Sequence, residues 1–254
     1  MQRSQNKIKL FGIPITLVEF NEAVVLMENL IQGEGSKFVI IANVNTLSYC
    51  YKNKKYSDIL KSADLVLRDG SGVKWAVKKL GANPKYNFVG TDFIPDFFKI
   101  THKKQYRVFL LGARPGIAEP ASKVLSKIAP GIIIAGYHHG YFDKKKGQKV
   151  INKINNTNPD ILLVAFGNPK QEIWLADNLQ NLDASVCIGV GALFDYLSGK
   201  IKRAPKWIRD AGFEWIFRLL IEPKRLWKRY LIGNPKFILR IYKELYVARK
   251  KNNS

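Results

Sequence analysis

The 254-residue chain is 46% hydrophobic and 24% charged, a composition that excludes a disordered or fibrous protein and is sufficient to build a full globular core. Its formal net charge of +22 favours a polyanionic partner, such as nucleic acid, an anionic membrane surface or a substrate that carries a pyrophosphate. Residues 1–9 are polar, and no apolar run approaches the ~20 residues of a membrane span, so we expect neither a signal peptide nor a transmembrane helix.

Several familiar site chemistries find no support in the sequence. Cys50 and Cys187 lie in apolar patterns, far apart and without metal-binding or redox spacing, so we expect reduced core thiols of the kind typical of a cytoplasmic protein. His102 and the adjacent pair His138 and His139 lack the spacing and the nearby carboxylates of a zinc site. There is also no Walker A motif and no nucleophile elbow.

Short apolar runs alternate with helical patterns between about residue 8 and residue 198. The runs are continuous and rich in Val and Ile, as is typical of strands buried on both faces, and their alternation with helices predicts right-handed β-α-β crossovers. The sequence therefore predicts an α/β fold with a doubly wound, mostly parallel, Rossmann-like sheet. The predicted strands are residues 38–42, 65–67, 108–111, 132–135, 161–166 and 186–190.

Asp69 comes directly after one of these runs and before Gly70-Ser71-Gly72 and a helical pattern, which places its carboxylate at the tip of a strand. In open α/β sheets ligands bind at this edge, because the loops diverge there and helix N-termini present their amides. Asp69 could therefore be a functional carboxylate, or it could only cap the next helix. The stretch by itself leaves both interpretations open.

Polar or glycine-rich loops also follow the other predicted strands. Their candidate binding residues are Asn43, Asn45, Thr46, Gly112, Arg114, Gly116, Gln171 and Asp195. The first three could hydrogen-bond a base or a sugar, or could merely cap a helix, whereas the loop with Arg114 could receive an anion on free amides and a guanidinium. Several such loops at one edge of one sheet predict a crevice for a nucleotide or a nucleotide-sugar.

After Gly199 the sequence changes to interleaved aromatic and basic residues, and residues 200–254 alone carry a net charge of +12. An apolar stripe at helical spacing contains Phe213, Ile216, Phe217 and Leu220. The stripe could pack on the core or meet a membrane, and both can hold if one face docks and the other meets lipid. We expect Trp227 and Tyr230 at a membrane interface. We predict a catalytic domain over residues 1–199 that folds without the remainder, and a basic helical appendage over residues 200–254.

Eight motifs, taken in order between about residue 11 and residue 230, together resemble the motif series of the WecG/TagA/CpsF glycosyltransferases. They are DGSGVKWA at 69–76, VGTD at 89–92, LGARPG at 111–116, GYHHGYF at 136–142, FGNPKQE at 166–172, GVGALFD at 189–195, RAP at 203–205 and EWIFRL at 214–219. The series covers nearly the whole chain, which makes it far more specific than any one motif.

The resemblance implies an inverting transfer, independent of metal and cofactor, from a UDP-sugar to a sugar linked to a polyprenyl diphosphate at the cytoplasmic membrane face. The first candidate is N-acetylmannosamine passed to undecaprenyl-diphosphate-linked GlcNAc, in the synthesis of teichoic acid or another cell-surface polymer. The alternative is a family member that transfers N-acetylmannosaminuronic acid or another hexose. The resemblance also implies a peripheral protein on the inner face of an anionic membrane, with no nucleic acid partner. It does not decide whether the protein forms a homo-oligomer.

The resemblance also implies roles for individual residues. Asp69 is the candidate general base, and Asn43 and Gln171 line the sugar or acceptor pocket. Arg218 and Arg225, with Lys228 or Arg229, come from the appendage to the diphosphate. Asp92, Asp195 and Arg203 lie in the matching motifs and are further candidates for substrate binding.

The chemistry of such a transfer fits the residues independently. A base must take a proton from the acceptor hydroxyl, and positive charge must offset the departing diphosphate. Asp69 can supply the first, and Arg114, the amides of residues 112–116 and the appendage arginines can supply the second. No Asp-x-Asp pair is present that could bridge Mg²⁺ and a diphosphate.

Two positions depart from the family pattern, with Ile41 where Thr is expected and Asn87 where Arg is usual. Both positions belong near the active site in the family, so the identity of the donor sugar stays open. Two rival functions come from other classes. A basic nucleic-acid-binding α/β protein should carry an S-adenosylmethionine or zinc signature, which is missing here, and a non-catalytic membrane module would not explain the polar strand-end loops.

Overall fold

A single sheet runs through the computed structural model, which describes residues 7–252 apart from the side chains of residues 144, 248, 249, 251 and 252. The strands are β1 (Lys7–Leu10), β2 (Ile13–Thr16), β3 (Lys37–Ala42), β4 (Leu65–Arg68), β5 (Arg107–Gly112), β6 (Ile133–His138), β7 (Ile161–Ala165) and β8 (Val186–Gly189). Their order is β1-β2-β4-β3-β8-β7-β5-β6, and every neighbouring pair is parallel except β1 and β2. The predicted fold class is confirmed.

Helices cover both faces of the sheet. They are α1 (Phe20–Gln32), α2 (Val44–Lys52), α3 (Lys54–Lys61), α4 (Ser71–Lys79), α5 (Gly90–Ile100), α6 (Ala118–Ile128), α7 (Gly147–Asn155), α8 (Lys170–Asn178), α9 (Leu193–Leu197), α10 (Lys206–Asp210), α11 (Glu214–Ile221), α12 (Pro223–Trp227) and α13 (Asn234–Asn252). Short 3₁₀ turns lie at His102–Lys104, Lys144–Lys146 and Leu179–Asn181, and a π-helical segment, Lys228–Gly233, joins α12 to α13. No helix within the described residues is long and apolar enough to span a bilayer.

Alternation along the strands divides the core into two clusters. In β3, Val39 and Ile41 face one cluster with α1, α5, α6 and α9, while Phe38 and Ile40 face the other with α2, α3, α4, α7, α8 and α13. Because both faces of the central strands β3, β4, β5, β7 and β8 are buried, these strands consist mostly of continuous apolar runs. Cys187, at the centre of β8, is a buried free thiol in the second cluster, and so is Cys50 in α2.

The register between β3 and β4 determines which residues lie together at the carboxyl edge of the sheet. Ala42 at the end of β3 pairs with Arg68 at the end of β4, so the next residues, Asn43 and Asp69, follow side by side. Strands β7 and β8 end one residue earlier than predicted, and left-handed glycines follow, Gly167 at φ +75° and Gly191 at φ +58°. The positive φ at these glycines turns the chain sharply where each strand ends, and the loops that follow line the cleft.

The antiparallel hairpin β1–β2 is not among the predicted strands. Its two-residue turn consists of Phe11 and Gly12, both with positive φ, at +52° and +78°. Such turns suit hairpins because their twist matches that of the flanking strands. Two four-residue strands with a non-glycine residue at the first turn position give a weak sequence signal, which explains the omission.

The C-terminal residues divide into a buried helix and an exposed one. In α13, Phe237 and Ile241 are 1% and 0% exposed and belong to the second core cluster, with the Phe237 ring 5.7 Å from that of Phe11. In contrast, α11 has no buried residue, and Phe213 and Leu220 are 54% and 76% exposed. Of the two interpretations of the apolar stripe, packing on the core is therefore wrong. The domain division at Gly199 stays a prediction.

We expect Phe237→Ala to lower the free energy of unfolding by about 3–5 kcal/mol, because it removes a buried aromatic ring from the core shared by α13 and the sheet. Leu239→Ala is the matched control, since Leu239 lies in the same helix but is 68% exposed, and it should change stability by less than about 0.5 kcal/mol. Urea unfolding measures both values. Equal effects of the two substitutions would contradict the docking of α13.

Candidate active site

The carboxyl ends of the central parallel strands open into one cleft of about 1710 Å³. It lies at the carboxyl ends of the parallel strands, the edge at which open α/β sheets bind ligands. The loops after β3, β4, β5, β7 and β8 line its floor, and residues of α11 to α13 line the opposite side. The appendage is thus one wall of the cleft.

A glycine turn fixes the backbone around Asp69. The Asp69 N–H donates to the Ala42 carbonyl at 2.8 Å, and Gly70 follows at φ +90° and ψ 162°, a conformation that glycine adopts readily. A Cβ at Gly72 would lie 2.5 Å from Val44 Cγ2, so a glycine there lets α4 approach α2. The N-cap of α4 is Gly70, and no side chain caps this helix. The capping interpretation of Asp69 is therefore wrong.

The Asp69 carboxyl is half-buried at the wall of the cleft. Burial, and then the nearby Glu214 carboxylate, raise the pKa of Asp69 to about 6. The guanidiniums of Arg229 and Arg218 and a hydrogen bond with Asn43 act in the opposite direction. The net result is a carboxylate that is ionised at neutral pH yet more basic than an ordinary Asp, as a general base requires.

Asn43 caps a helix and also faces the cleft. Its Oδ1 accepts from the backbone N–H groups of Asn45 and Thr46, at 3.0 and 3.2 Å, and from Arg229 Nη2 at 3.3 Å. The Thr46 hydroxyl accepts from the Asn43 N–H at 3.3 Å, which completes a capping box. Thr46 is fully buried, and neither Thr46 nor Asn45 lines the cleft. Of these three predicted residues, only Asn43 reaches it.

Gln171 ties two loops together beneath the cleft. Its Oε1 accepts from the N–H groups of Gly167 and Gly191, both at 3.1 Å, and its Nε2 donates to Glu172 at 2.8 Å. Gln171 is 2% exposed, so its amide is occupied within the protein although it borders the cleft. Glu172 is equally buried, its pKa is raised by burial, and it accepts from Asn168.

The predicted anion loop contributes less than expected. A Cβ at Gly112 would lie 2.7 Å from backbone atoms of Ala165, so this glycine serves the close approach of β5 and β7. Gly116, at φ +82°, is a turn residue, and neither glycine lines the cleft. Arg114 does line the cleft and is exposed at its rim.

Asp92 anchors the start of the appendage. Its carboxylate accepts from Arg203 Nη2 and, at 3.3 Å, from Arg209 Nη1, and Arg203 Nε lies 3.9 Å from Glu214. Asp92 and Arg203 lie outside the cleft, whereas Arg209 and Glu214 line it. Asp195 also lines the cleft, where it pairs with Lys200 at 3.5 Å.

Four appendage arginines, Arg209, Arg218, Arg225 and Arg229, line the cleft. Glu222 pairs with two of them, Arg225 and, at 3.7 Å, Arg218. Lys228 is not among the lining residues and lies 5.4 Å from the Trp227 ring, so of the two alternatives Arg229 is the one that reaches the cleft.

Tyr230 departs from its predicted place at a membrane interface. It is 8% exposed and packs 5.7 Å from the Trp215 ring, with the Arg229 guanidinium 5.4 Å from its own ring. For Tyr230 the interface prediction is therefore wrong. Trp227, by contrast, is 42% exposed.

Comparison with known proteins identifies the family. Residues 8–251 match the model of the glycosyl transferase WecG/TagA/CpsF family. The chain belongs to this family. It is similar to a Bacillus subtilis (strain 168) protein named N-acetylglucosaminyldiphosphoundecaprenol N-acetyl-beta-D-mannosaminyltransferase, with 34% identity over 76% of this chain and 74% of the relative. A Staphylococcus aureus (strain NCTC 8325 / PS 47) protein of the same name is 32% identical over 84% and 82% of the two chains.

One solved structure, a nicotinate phosphoribosyltransferase from Vibrio cholerae, has 11% identity and a TM-score of 0.23 over 76% of this chain and 49% of that chain. That likeness is too low to indicate a shared fold. The family match stands on the sequence comparisons and shows that the chain is a glycosyltransferase.

The cleft residues of this glycosyltransferase that the sequence-based candidates do not include are numerous, and three of them, Arg209, Glu214 and Glu222, belong to its ion pairs. Glu222 lies four residues after Arg218, the spacing of a helical ion pair, which is a signal the sequence does contain. Glu214 opens the EWIFRL motif. Within residues 7–252, no group of three or more His, Cys, Asp or Glu side chains could hold a metal ion.

The raised pKa of Asp69 predicts how stability changes with pH. The folded pKa of about 6 exceeds the ordinary value of 3.8, so the folded state binds the proton more tightly, and Asp69 destabilises the protein progressively as pH rises from about 4 through 6. Asp69→Asn removes this ionisation. We expect the melting temperature of the variant, relative to wild type, to increase between pH 4 and pH 7.

Differential scanning fluorimetry of both proteins across this range measures the effect. Asp58→Asn, at an exposed aspartate on α3, controls for the loss of one negative charge. A relative melting temperature that falls as pH rises would contradict the prediction, because it would mean that Arg229 and Arg218 outweigh burial.

Proposed function

We propose that this glycosyltransferase transfers N-acetylmannosamine from its UDP-sugar to undecaprenyl-diphosphate-linked GlcNAc, with inversion, in the synthesis of teichoic acid or a related cell-surface polymer. The names of the two relatives support the acceptor and the sugar. The observation that carries the proposal is one cleft that combines a basic carboxylate, Asp69, with Arg114 and four appendage arginines.

The size of the cleft supports a reaction of two large substrates. Pockets for a single small ligand usually enclose about 300–1,000 Å³. The cleft here has about 1710 Å³, enough for a nucleotide-sugar and the head of a lipid-linked sugar together. We place the donor diphosphate near Arg114 and the acceptor diphosphate near Arg218, Arg225 and Arg229.

The proposed mechanism is a single displacement. Asp69 takes the proton of the acceptor hydroxyl as that oxygen attacks the anomeric carbon, and UDP departs from the opposite face of the sugar. Attack and departure on opposite faces invert the anomeric centre. Guanidiniums offset the charge of the diphosphates in a partly dehydrated cleft, where such interactions are stronger than in water. We propose that the reaction needs no divalent metal, since arginines can serve this role.

Ile41 and Asn87 bear on the choice of donor. Ile41 is 7% exposed and apolar, and the Asn87 side-chain oxygen accepts from Arg68 and from the Gly70 N–H. Neither residue offers a cation for a sugar carboxylate. This favours a neutral donor, UDP-N-acetylmannosamine or a UDP-hexose, over a uronic acid.

The decisive experiment offers the purified enzyme a panel of UDP-sugars and a soluble lipid-diphosphate-GlcNAc analogue, in excess EDTA, and identifies the product by mass. We expect one disaccharide product, and Asp69→Asn should lower turnover by ~10²–10⁴-fold because the base is lost. Asp58→Asn, the same substitution away from the cleft, should leave turnover unchanged. Transfer by Asp69→Asn at the wild-type rate, or activity that only Mg²⁺ or Mn²⁺ restores, would refute the proposed mechanism.

We also propose that the enzyme binds the anionic inner face of the cytoplasmic membrane through α10 to α12. Trp207, Phe213, Leu220 and Trp227 are between 42% and 76% exposed there. These helices belong to residues 200–254, which together carry a net charge of +12. Apolar side chains would enter the interface while each Lys or Arg adds up to ~1 kcal/mol at an anionic surface. This would hold the cleft beside a lipid-linked acceptor.

Vesicle sedimentation tests this proposal. We expect binding to phosphatidylglycerol vesicles, little binding to phosphatidylcholine, and a loss of about 10-fold or more on Trp207→Ser with Leu220→Ser, through lost apolar burial. Val25→Ser is the control, an exposed apolar residue on α1. Unchanged binding by the double variant would contradict the proposal. A patch that instead joins two copies would appear as a dimer that the double variant dissociates.

A further inference from the structure

Arg68 is a buried arginine directly beside the proposed base. It is 1% exposed, and its guanidinium donates to the carbonyls of Pro84 and Lys85 and to Asn87 Oδ1. Burial lowers its pKa to about 10, so it remains charged at neutral pH. Its donors thereby hold residues 84–87 against the end of β4.

Asn87 links this arginine to the turn of the base. Its Oδ1 accepts from Arg68 Nη1 at 3.0 Å and from the Gly70 N–H at 2.8 Å. Both partners are donors, so only the oxygen of the amide can face them, and the side chain has one orientation. The arginine therefore sets how Asn87 presents its acceptor to Gly70.

The Gly70 N–H belongs to the peptide that follows Asp69. The peptide before Asp69 is held by its own hydrogen bond, from the Asp69 N–H to the Ala42 carbonyl at 2.8 Å. With both peptides fixed, the direction of the Asp69 Cα–Cβ bond is fixed as well. Without Asn87, the second peptide would lose this partner at a position where Gly70 is conformationally permissive.

We infer that Asn87, oriented by Arg68, is a positioning residue that aims the Asp69 carboxylate at the acceptor hydroxyl. The inference rests on the proposed role of Asp69 as base. Asn87 borders the cleft, but its oxygen is directed to Arg68 and Gly70. Small misplacements of a reacting group can cost ~10²-fold in rate, so a hydrogen bond to the peptide next to the base can control turnover.

The test compares three variants at pH 8.5, where Asp69 is ionised. Asn87→Ala removes the acceptor and should lower kcat by ~10–100-fold with a donor KM within about twofold of wild type. Asn87→Asp retains an oxygen acceptor and should recover most of kcat. Its added negative charge near Asp69 should also shift the acid limb of the pH–rate profile upward. Asn83→Ala is the matched control, because Asn83 lies in the same loop and accepts only from the Lys85 N–H, at 3.3 Å.

Hydrogen exchange of the Gly70 amide gives a readout that does not depend on activity. Asn87→Ala should exchange this amide at least about 10-fold faster than wild type, while Asn87→Asp and Asn83→Ala should not. Unchanged exchange in Asn87→Ala would overturn the inference, even if no UDP-sugar in the panel is a substrate. Faster exchange with wild-type kcat, an equal loss of kcat in Asn83→Ala, or no recovery in Asn87→Asp would overturn it too. Absence of transfer by the wild-type enzyme would instead count against the proposed function.

Discussion

The site depends on one carboxylate held between two opposing effects. Burial at the end of β4 disfavours the charge of Asp69, while Arg229, Arg218 and Asn43 favour it. For the proposed role as general base, a carboxylate with a raised pKa is the stronger base, and one tightly paired with arginine is weaker. The balance raises the pKa of Asp69 to about 6, where it is both ionised and basic at neutral pH.

The C-terminal segment supplies charged side chains that act on the pKa of Asp69. It brings Glu214, Arg218 and Arg229 to the cleft, and it is held there at both ends, by Asp92 with Arg203 and by the core side chains of α13. Glu222 pairs with Arg218 and Arg225 and thereby offsets part of the repulsion among the guanidiniums. Because α13 shares the core of the sheet, the geometry of the cleft is coupled to the stability of the fold.

The strongest sequence predictions came from features that repeat along the chain. Apolar runs predicted six of the strands, since burial on both faces favours apolar residues in the central strands. The carboxylate after β4 and Asn43 after β3 could be placed at one edge because parallel strands all end there. The hairpin turn at Phe11 and Gly12 could not, because its two short strands give little pattern.

The sequence was less informative wherever one residue type has two uses. The sequence predicts Gly112 as a glycine of an anion-binding loop, but in the structure it permits the close approach of β5 and β7. Thr46 is a candidate for hydrogen-bonding a substrate, but it completes a capping box. Tyr230 is expected at a membrane interface, but it is buried beside Trp215. Asn87 reads only as a departure from the family pattern. Its contacts with Arg68 and Gly70 depend on a loop conformation that no local pattern predicts.

The ionisation of Asp69 itself tests this account most directly. Carbon-13 NMR titration of carboxyl-labelled aspartate, with the Asp69 resonance assigned by its loss in Asp69→Asn, reports the pKa of this one group in the free enzyme. The account predicts a midpoint at about 6, above the ordinary value of 3.8. A midpoint at or below 3.8 would contradict it, because the arginines of the appendage would then hold Asp69 as a paired anion and not as a base.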